Sequence, residues 1–372
     1  MGALRLLLAI SVFTAHLGPL LGVRLVDGPV AVQAFFIISG FYVSLVLHEK
    51  YGKSWSETRL FYSNRLLRLY PSYWVMLGIS IGAAALAAIG FPPLQWLGSQ
   101  ISFQRFTDVL QGAVGFYVVV SNLLLFGIDW AFFLTPDNGA LVFTEDFRSV
   151  KLSLNYLNPV PQAWSLGIEI AIYLVAPFLF RLRLRYLFAI FMTTMAARWI
   201  ASSNGLDHDP WTYRFMPFEA GLFVVGAIAY RVFARLRKKN LGMIPMSLLA
   251  VVLLLLLGFE ALPKGYHLFP FFYDGQAIFL FMLSISLPFI FMATKNNKID
   301  RFVGDLSYPF YLAHIFVMWA IPPAYAKWNA LPFLVTLGMS FALLLLVDRP
   351  VDRYRQYRAS RAPRQANLLE AT

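Results

Sequence analysis

Long apolar segments recur along almost the whole chain and alternate with short polar stretches. Most of them have the roughly 20 residues that a helix needs to cross a bilayer. These apolar segments run over residues 4–22, 29–48, 71–90, 162–180, 186–202, 212–230, 242–262, 273–293, 306–325 and 331–348. The pattern predicts an all-α polytopic membrane protein with about ten transmembrane helices.

A further apolar segment, residues 112–133, is ambiguous. The basic residues help to place it, because short cytoplasmic loops are enriched in Lys and Arg. With ten crossings and a cytoplasmic N-terminus, all the basic clusters lie on the cytoplasmic side, whereas an eleventh crossing would move the later ones outside. We therefore predict that 112–133 is re-entrant or packs against the bundle without a net crossing. Residues 91–111 and 134–161, which contain Gly, Pro, Asn, Asp and Ser, are predicted to be outer loops.

The composition agrees with a single membrane domain. Of the 372 residues, 59% are hydrophobic and only 13% are charged, which is too apolar for a soluble domain. The net charge of +12 fits the positive-inside rule better than nucleic-acid binding, so no nucleic acid is expected, although the basic loops could also attract an anionic substrate. The absence of cysteine excludes a thiolate metal site and a cysteine nucleophile. No small-residue cleavage site follows the first apolar run, which indicates a retained first span.

Two ionisable residues share that first span. Arg5 and His16 are eleven residues apart, which places them within about 20° of the same helix face and His16 roughly 16 Å deeper. Ionisable side chains inside a bilayer are costly and usually mark a functional site. A neutral imidazole there can accept a proton from an attacking hydroxyl, although a histidine that only bonds two helices together is the structural alternative.

A second histidine, His314, ends the run GDLSYPFYLAH and follows Asp305 by nine residues. Its expected depth, roughly 13 Å, is close to that of His16. The two histidines could therefore flank a common cavity, with structural packing again as the alternative.

Arg65 and Arg68 follow the second span in FYSNRLLRLYP. Their spacing puts both guanidinium groups on one helix face, where they could bind phosphate oxygens or simply anchor the cytoplasmic side. Pro71 suits the first turn of the next helix.

Glu169 lies about one turn after Trp164 in QAWSLGIEIAIYL. Its carboxylate inside a span needs a partner, and it could orient a histidine or bind substrate hydroxyls. Arg198, Arg214 and Glu219 are further charges in or near spans, which could neutralise buried charges. Gln33, Ser39 and Gly40 lie in the second span, where small residues first suggest close helix packing.

Together these motifs resemble the membrane-bound acyltransferase-3 family, whose bacterial members O-acylate cell-surface glycans. Arg5 and His16 match its R-x10-H signature, and FFIISGF at 35–41 matches FF-x-x-SGF. Arg65, Arg68 and Pro71 match R-x-x-R-x-x-P.

Further matches follow in the family's order. WSLGIE at 164–169 matches W-S-L-x-x-E, and GDLSYPFYLAH at 304–314 is similar to G-x-x-SYPLYLxH, with Phe310 in place of Leu. VDRPVDRYR at 347–355 is loosely similar to a terminal E-x-P element, with Asp348 or Asp352 where Glu is usual.

The resemblance implies a transmembrane domain over residues 1–350, followed by a basic cytoplasmic tail at 351–372. It implies an acyl-CoA donor, with acetyl-CoA first, and a carbohydrate acceptor in the form of a polysaccharide, an oligosaccharide or a glycolipid. His16 would be the catalytic base or a transient acyl carrier supported by Arg5, and Arg65 and Arg68 would hold the CoA phosphates. Glu169 and His314 complete the predicted catalytic set, and no metal is expected. The predicted substrate contacts are Ser39, Trp164, Ser165 and Tyr308.

The chain is thus predicted to be an O-acyltransferase of a bacterial inner membrane, with both termini cytoplasmic. A homo-oligomer is compatible with the sequence. We expect no extracytoplasmic SGNH-type domain, which many relatives carry. The main alternative is a proton-coupled secondary transporter of a sugar or an organic acid, in which His16, Glu169 and His314 form a proton relay. A non-catalytic partner in an envelope-polymer export complex is a third possibility.

Overall fold

The computed structural model describes residues 1–51, 54–91, 96–97 and 111–361, and it is almost entirely helical in this part of the chain. Most of the predicted loop 91–111 and residues 362–372 of the predicted tail lie outside the described residues. The helices are α1 Gly2–Leu17, α2 Gly28–Glu49, α3 Trp55–Ala88, α4 Gly112–Leu124, α5 Trp164–Leu179, α6 Leu184–Ser203, α7 Met216–Leu236, α8 Ile244–Leu257, α9 Asp274–Thr294, α10 Lys298–Asp305, α11 Ser307–Ala320, α12 Ala330–Leu343 and α13 Arg349–Arg361.

The chain is an all-α polytopic membrane protein. Within the described part of the chain, six helical segments are long and apolar enough to cross a membrane. They are Gly28–Glu49, Trp55–Ala88, Pro161–Leu179, Met216–Leu236, Asp274–Thr294 and Ala330–Ser360. The remaining four predicted spans correspond to the helices α1, α6, α8 and α11. Three of these four have only 14 to 16 residues, and α6 carries Arg185 and Arg198.

The third helix corrects one prediction. Pro71 does not begin a helix, because α3 starts at Trp55 and continues through Pro71. The start is fixed by a capping box in which Ser54 accepts from the Glu57 N–H and the Glu57 carboxylate accepts from the Ser54 N–H. A proline within a membrane helix is tolerated where neighbouring groups satisfy the freed backbone. Arg65 and Arg68 consequently lie in the same helix as Pro71, before it in the chain.

Segment 112–133 packs against the bundle. Its helix, α4, has 13 residues and is therefore only about 20 Å long, which is too short for a hydrocarbon layer of about 30 Å. Three side chains of α3 donate to carbonyls at the C-terminal end of α4. Tyr73 donates to Asn122 at 2.7 Å, Trp74 donates to Leu123 at 3.0 Å, and Tyr70 donates to Leu124. These bonds satisfy carbonyls that a helix end leaves free, and they agree with a packed segment without a net crossing.

The predicted loop 134–161 contains a short antiparallel hairpin. Strands β1 Leu134–Asp137 and β2 Ala140–Phe143 pair across Asn138 and Gly139. Both turn residues have positive φ, 48° and 80°, as the Asn-Gly pair favours in tight hairpins. The Asn-Gly signal was present in the sequence.

Helices α2 and α7 cross at very close range. A Cβ atom at Gly40 would lie 2.0 Å from the Phe223 carbonyl oxygen, and one at Gly226 would lie 2.0 Å from the Ile37 carbonyl oxygen. The packing explanation for Gly40 is therefore confirmed, since only glycine lets the two backbones approach this closely.

The last span continues into a helix at the surface. A π-helical segment, Leu344–Asp348, joins α12 to α13. Helix α13 packs against α3, where Arg358 donates to the Ser63 hydroxyl at 2.9 Å. The predicted boundary between domain and tail at residue 350 thus falls inside a helix.

Candidate active site

A cavity of about 560 Å³ lies between α1, α2, α3, α5 and α11. Its mouth is formed by the start of α1 together with exposed basic residues at the ends of α2 and α9, Lys50 and Lys295. Gln356 of α13 also lines it, so the first and last described helices meet at the same cavity. The volume is typical of a site for a ligand of cofactor size.

Four arginines line this cavity. They are Arg65 and Arg68, which the sequence predicted to bind phosphate oxygens, together with Arg5 and Arg301. The shared helix face predicted for Arg65 and Arg68 is confirmed, since both line the same space. Arg65 is 9% exposed, and its guanidinium lies 6.0 Å from the Tyr173 ring centroid. The Arg65 Nε atom has no hydrogen-bond partner among the described residues. Such buried guanidinium groups suit an anionic ligand.

Glu169 lies among these arginines and away from the histidines. Its carboxylate accepts from the Tyr173 hydroxyl at 2.9 Å, and the Ser39 hydroxyl also interacts with it. No hydrogen bond joins Glu169 to a histidine among the described residues, so the structure does not support an orienting role, and binding of substrate hydroxyls stays a prediction. The carboxylate instead offsets part of the positive charge of Arg65 and Arg68.

Two aspartates stand near the mouth of the cavity. Burial acts to raise the pKa of Asp300, but the backbone N–H groups of Ala3 and Gly2, which cap α1, hold it below its ordinary value. Burial raises the pKa of Asp305, although the positive charges of Arg68 and Arg5 oppose this shift.

Arg68 also faces a second group of acidic residues. It lines a very small cavity together with Asp305, Asp348 and Asp352. The Ser72 hydroxyl donates to the Asp348 carboxylate. Arg68 is thus placed between the large cavity and the acidic start of α13, and it links α3 electrostatically to the end of the chain.

The inner end of the large cavity is formed by Ser165 of α5 and Tyr311 of α11. The two hydroxyl oxygens are 2.8 Å apart, and Tyr311 also donates to the Gln162 carbonyl at 2.8 Å. Ser39 and Tyr308 line the same cavity, so three of the four predicted substrate contacts border it. Trp164, the fourth, is 6% exposed and does not line it among the described residues.

The two predicted histidines lie next to each other just beyond this end. The ring centroids of His16 and His314 are 5.5 Å apart. His314 is fully buried, and its Nδ1 atom lies 2.6 Å from the Tyr311 carbonyl oxygen. Since a carbonyl can only accept, Nδ1 carries the hydrogen and Nε2 presents its lone pair. That Nε2 atom has no partner within the described part of the chain.

His16 occupies the last turn of α1, and its side chain is exposed. Neither His16 nor His314 lines the large cavity in the described structure. Tyr311 lies between the cavity and the histidines, because it lines the cavity and its ring centroid lies 5.6 Å from that of His314. The expectation that the two histidines flank a common cavity is therefore corrected for the large cavity, whose described lining ends at Tyr311, one side chain from the histidine pair.

Three comparisons bear on the identity of this chain. The profile of the acyltransferase-3 family, described as an acyltransferase domain, matches residues 1–349. The chain belongs to the acyltransferase-3 family. It is also 23% identical over 204 residues to a protein of Aquifex aeolicus (strain VF5) described as uncharacterized, over 53% of this chain and 89% of that protein. No solved structure matches it.

In this acyltransferase-3 protein the three further charges that the sequence singled out, Arg198, Arg214 and Glu219, form ion pairs. Arg198 and Glu219 pair at 2.7 Å, with side chains 1% and 0% exposed. Arg214 pairs with Asp209 at 2.7 Å. These contacts agree with the prediction that such charges neutralise one another. Among the described residues, no group of three or more His, Asp or Glu side chains could hold a metal ion.

Sequence reasoning missed two residues of this acyltransferase-3 site, Gln162 and Tyr311. Both lie directly beside motif residues that had been selected, since Gln162 precedes WSLGIE and Tyr311 is part of SYPFYLAH. Their bonding pattern requires contacts between α5 and α11, which a single sequence does not reveal.

Proposed function

We propose that this protein transfers an acyl group, acetyl first, from cytoplasmic acyl-CoA to a hydroxyl group of a carbohydrate. The observation that supports this most is a cavity lined by four arginines whose inner end lies one side chain from two adjacent imidazoles. Membership of the acyltransferase-3 family supports the reaction class.

The donor would enter where Lys50 and Lys295 border the mouth of the cavity. Arg65 and Arg68 would bind phosphate oxygens of CoA, because planar guanidinium groups match them in pairs. Arg5 and Arg301 add further positive charge, and Glu169 and Asp305 balance only part of this cluster. The thioester arm would then extend toward Ser165 and Tyr311.

The acceptor hydroxyl would approach from the exposed side of His16. The oxygen of the acceptor hydroxyl attacks the thioester carbonyl carbon, and the hydroxyl proton passes to an imidazole nitrogen. The π electron pair of the carbonyl group moves to the carbonyl oxygen. When the carbonyl re-forms, the C–S bond breaks, and the thiolate leaves and is protonated. His16 and the neighbouring Nε2 of His314, which has no partner among the described residues, are suited to hold that proton. An acyl-histidine on His16 would use the same geometry in two steps.

The proposed orientation places the cavity mouth and both termini in the cytoplasm of a bacterium, with the protein in the inner membrane. The basic residues around the mouth and in α13 support this orientation. Trp164, Arg214 and the β1–β2 hairpin would then face the opposite side, where a polysaccharide, an oligosaccharide or a lipid-linked glycan would bind.

Binding of acetyl-CoA to the purified protein in nanodiscs tests the donor assignment. We expect Arg65→Ala and Arg68→Ala each to weaken binding at least about tenfold, the cost of one charged hydrogen bond or more. Arg59→Ala is the matched control, because Arg59 is an exposed residue of the same helix that does not line the cavity. Equal binding by all four proteins would contradict the assignment.

Turnover separates the enzyme from its alternatives. Release of CoA thiol with a panel of sugars or lipid-linked glycans can be followed with a thiol reagent, because the protein contributes no cysteine. We expect acceptor-dependent thiol release by the purified chain alone. Acetyl-CoA that binds without any release, combined with proton-coupled sugar uptake in proteoliposomes, would instead indicate a transporter.

A further inference from the structure

The wall between the donor cavity and the histidine pair is made of a small hydroxyl network. Tyr311 is 7% exposed and Ser165 is 6% exposed, and both face the cavity. The Gln162 carbonyl accepts from the Tyr311 hydroxyl at 2.8 Å and from the Ser165 hydroxyl at 3.2 Å. One carbonyl oxygen thus serves two O–H donors.

This arrangement leaves one donor to spare. If Ser165 donates to Gln162, the Tyr311 hydroxyl can turn into the cavity without leaving the buried carbonyl unpaired. The only atoms that move are those of a hydroxyl rotor and of the ligand. The network can therefore present an O–H group to a ligand at low cost.

The same tyrosine also sets the geometry of the neighbouring base. Its backbone carbonyl binds Nδ1 of His314 at 2.6 Å, and its ring lies against that imidazole with centroids 5.6 Å apart. A carbonyl group bound at the Tyr311 hydroxyl would consequently lie next to the residue that presents a free ring nitrogen.

We propose that Tyr311 is a further catalytic residue of this site: its hydroxyl binds the thioester carbonyl oxygen and stabilises the negative charge that develops there when the acceptor attacks. This inference rests on the proposed function, because it takes the ligand of the cavity to be an acyl-CoA. Ser165 acts as the positioning residue that takes over the Gln162 carbonyl and frees the tyrosine hydroxyl. Stabilisation of this kind acts mainly in the transition state and not in donor binding.

The test compares Tyr311→Phe with a matched variant, Tyr73→Phe. Tyr73 is also buried and also donates to a backbone carbonyl, that of Asn122 at 2.7 Å, but it does not line the cavity. We expect Tyr311→Phe to lower kcat for acetyl transfer about 100-fold, the usual effect of losing one oxyanion donor, with the KM for acetyl-CoA within about threefold of wild type. Tyr73→Phe should retain kcat while losing a comparable hydrogen bond.

A second variant addresses the role of the serine. In Ser165→Ala the Tyr311 hydroxyl is the one hydroxyl of this pair left to donate to the Gln162 carbonyl. We therefore expect kcat to fall about tenfold, less than in Tyr311→Phe. Adding Ser165→Ala to Tyr311→Phe should cause no further fall in kcat. A Tyr311→Phe protein with wild-type kcat, or one in which only the KM for acetyl-CoA changes, overturns the inference and leaves the proposed function intact. Absence of thiol release by the wild-type protein overturns the proposed function and this inference with it.

Discussion

The most unusual carboxyl group outside the predicted spans belongs to Asp129, in the turn of 3₁₀ helix Ile128–Phe133 that follows α4. Asp129 is 3% exposed, and burial raises its pKa to about 7. A folded-state pKa above the ordinary value of 3.8 means that ionisation opposes folding. The contribution of the neutral Asp129 carboxyl group to folding stability is therefore complete below pH 4, and it is lost as the pH rises through about 7.

This linkage predicts the behaviour of Asp129→Asn. Near pH 5 we expect the unfolding temperature of the variant to equal that of wild type or to be slightly lower. At pH 8.5 we expect the variant to be more stable than wild type, by a few kcal/mol at most. Thermal unfolding in detergent across this pH range measures the effect. Asp137→Asn is the control, because Asp137 is exposed on the neighbouring hairpin. A wild-type protein as stable at pH 8.5 as at pH 5, with an unchanged variant, would contradict this description of Asp129.

The residue scale also shows how well local sequence reasoning worked. The spacing of Arg5 and His16, and the similar depth estimated for His314, correctly placed two histidines near each other. It did not identify the partners of Glu169, which are Tyr173 on α5 itself and the Ser39 hydroxyl on α2. Which of several buried charges meet depends on helix rotation, and periodicity fixes that only to within a turn.

At the scale of helices, the close crossing of α2 and α7 fixes the position of the part of α2 that lines the cavity. Gly40 is one residue from Ser39, which lines the cavity, and its backbone contacts that of Phe223. A methyl group at this position would have to push two main chains apart.

We therefore expect Gly40→Ala to lower stability by about 1–3 kcal/mol, in the range of overpacked cores, and to reduce acyl transfer. Gly78→Ala is the matched control: Gly78 lies in α3, and a Cβ atom there would meet nothing within 4 Å. Because alanine favours helix over glycine, the control should be neutral or slightly stabilising. The comparison is made by thermal unfolding in one detergent, and equal stabilities of the two variants would contradict the close packing.

The sequence predicted helices better than their ends. Apolar runs located the main helices, but α3 begins sixteen residues before the predicted span at 71, because a more polar helical segment of about four turns joins that span without a break. Hydropathy cannot detect such an extension, because a cytoplasmic helix need not be apolar. The same limit explains why Gln356 of α13 was not expected at the cavity mouth.

At the scale of the whole molecule, the proposed orientation requires the β1–β2 hairpin and the cavity mouth to lie on opposite sides of the membrane. Asn138 is exposed at the hairpin turn, and Lys238 is exposed after α7. Phe133, beside the hairpin, contacts Phe215 at the other end of α7, with ring centroids 5.7 Å apart.

Single cysteines test this topology without background labelling, because the chain has none. We expect an impermeant maleimide to label Asn138→Cys in intact bacterial cells whose outer membrane has been opened. Lys238→Cys should react only after the inner membrane is permeabilised. Labelling of both before permeabilisation, or the reverse order, would contradict the proposed orientation.

The central claim is that a histidine on the far side of Tyr311 accepts the proton during transfer from acyl-CoA. Its most direct test is acetyl transfer by purified His16→Ala in nanodiscs, with His208→Ala, a loop variant outside the site, as control. We predict that His16→Ala loses at least about 100-fold in kcat while it binds acetyl-CoA and unfolds like wild type, and that His208→Ala remains active. A folded His16→Ala protein that transfers acetyl groups at the wild-type rate would contradict the account.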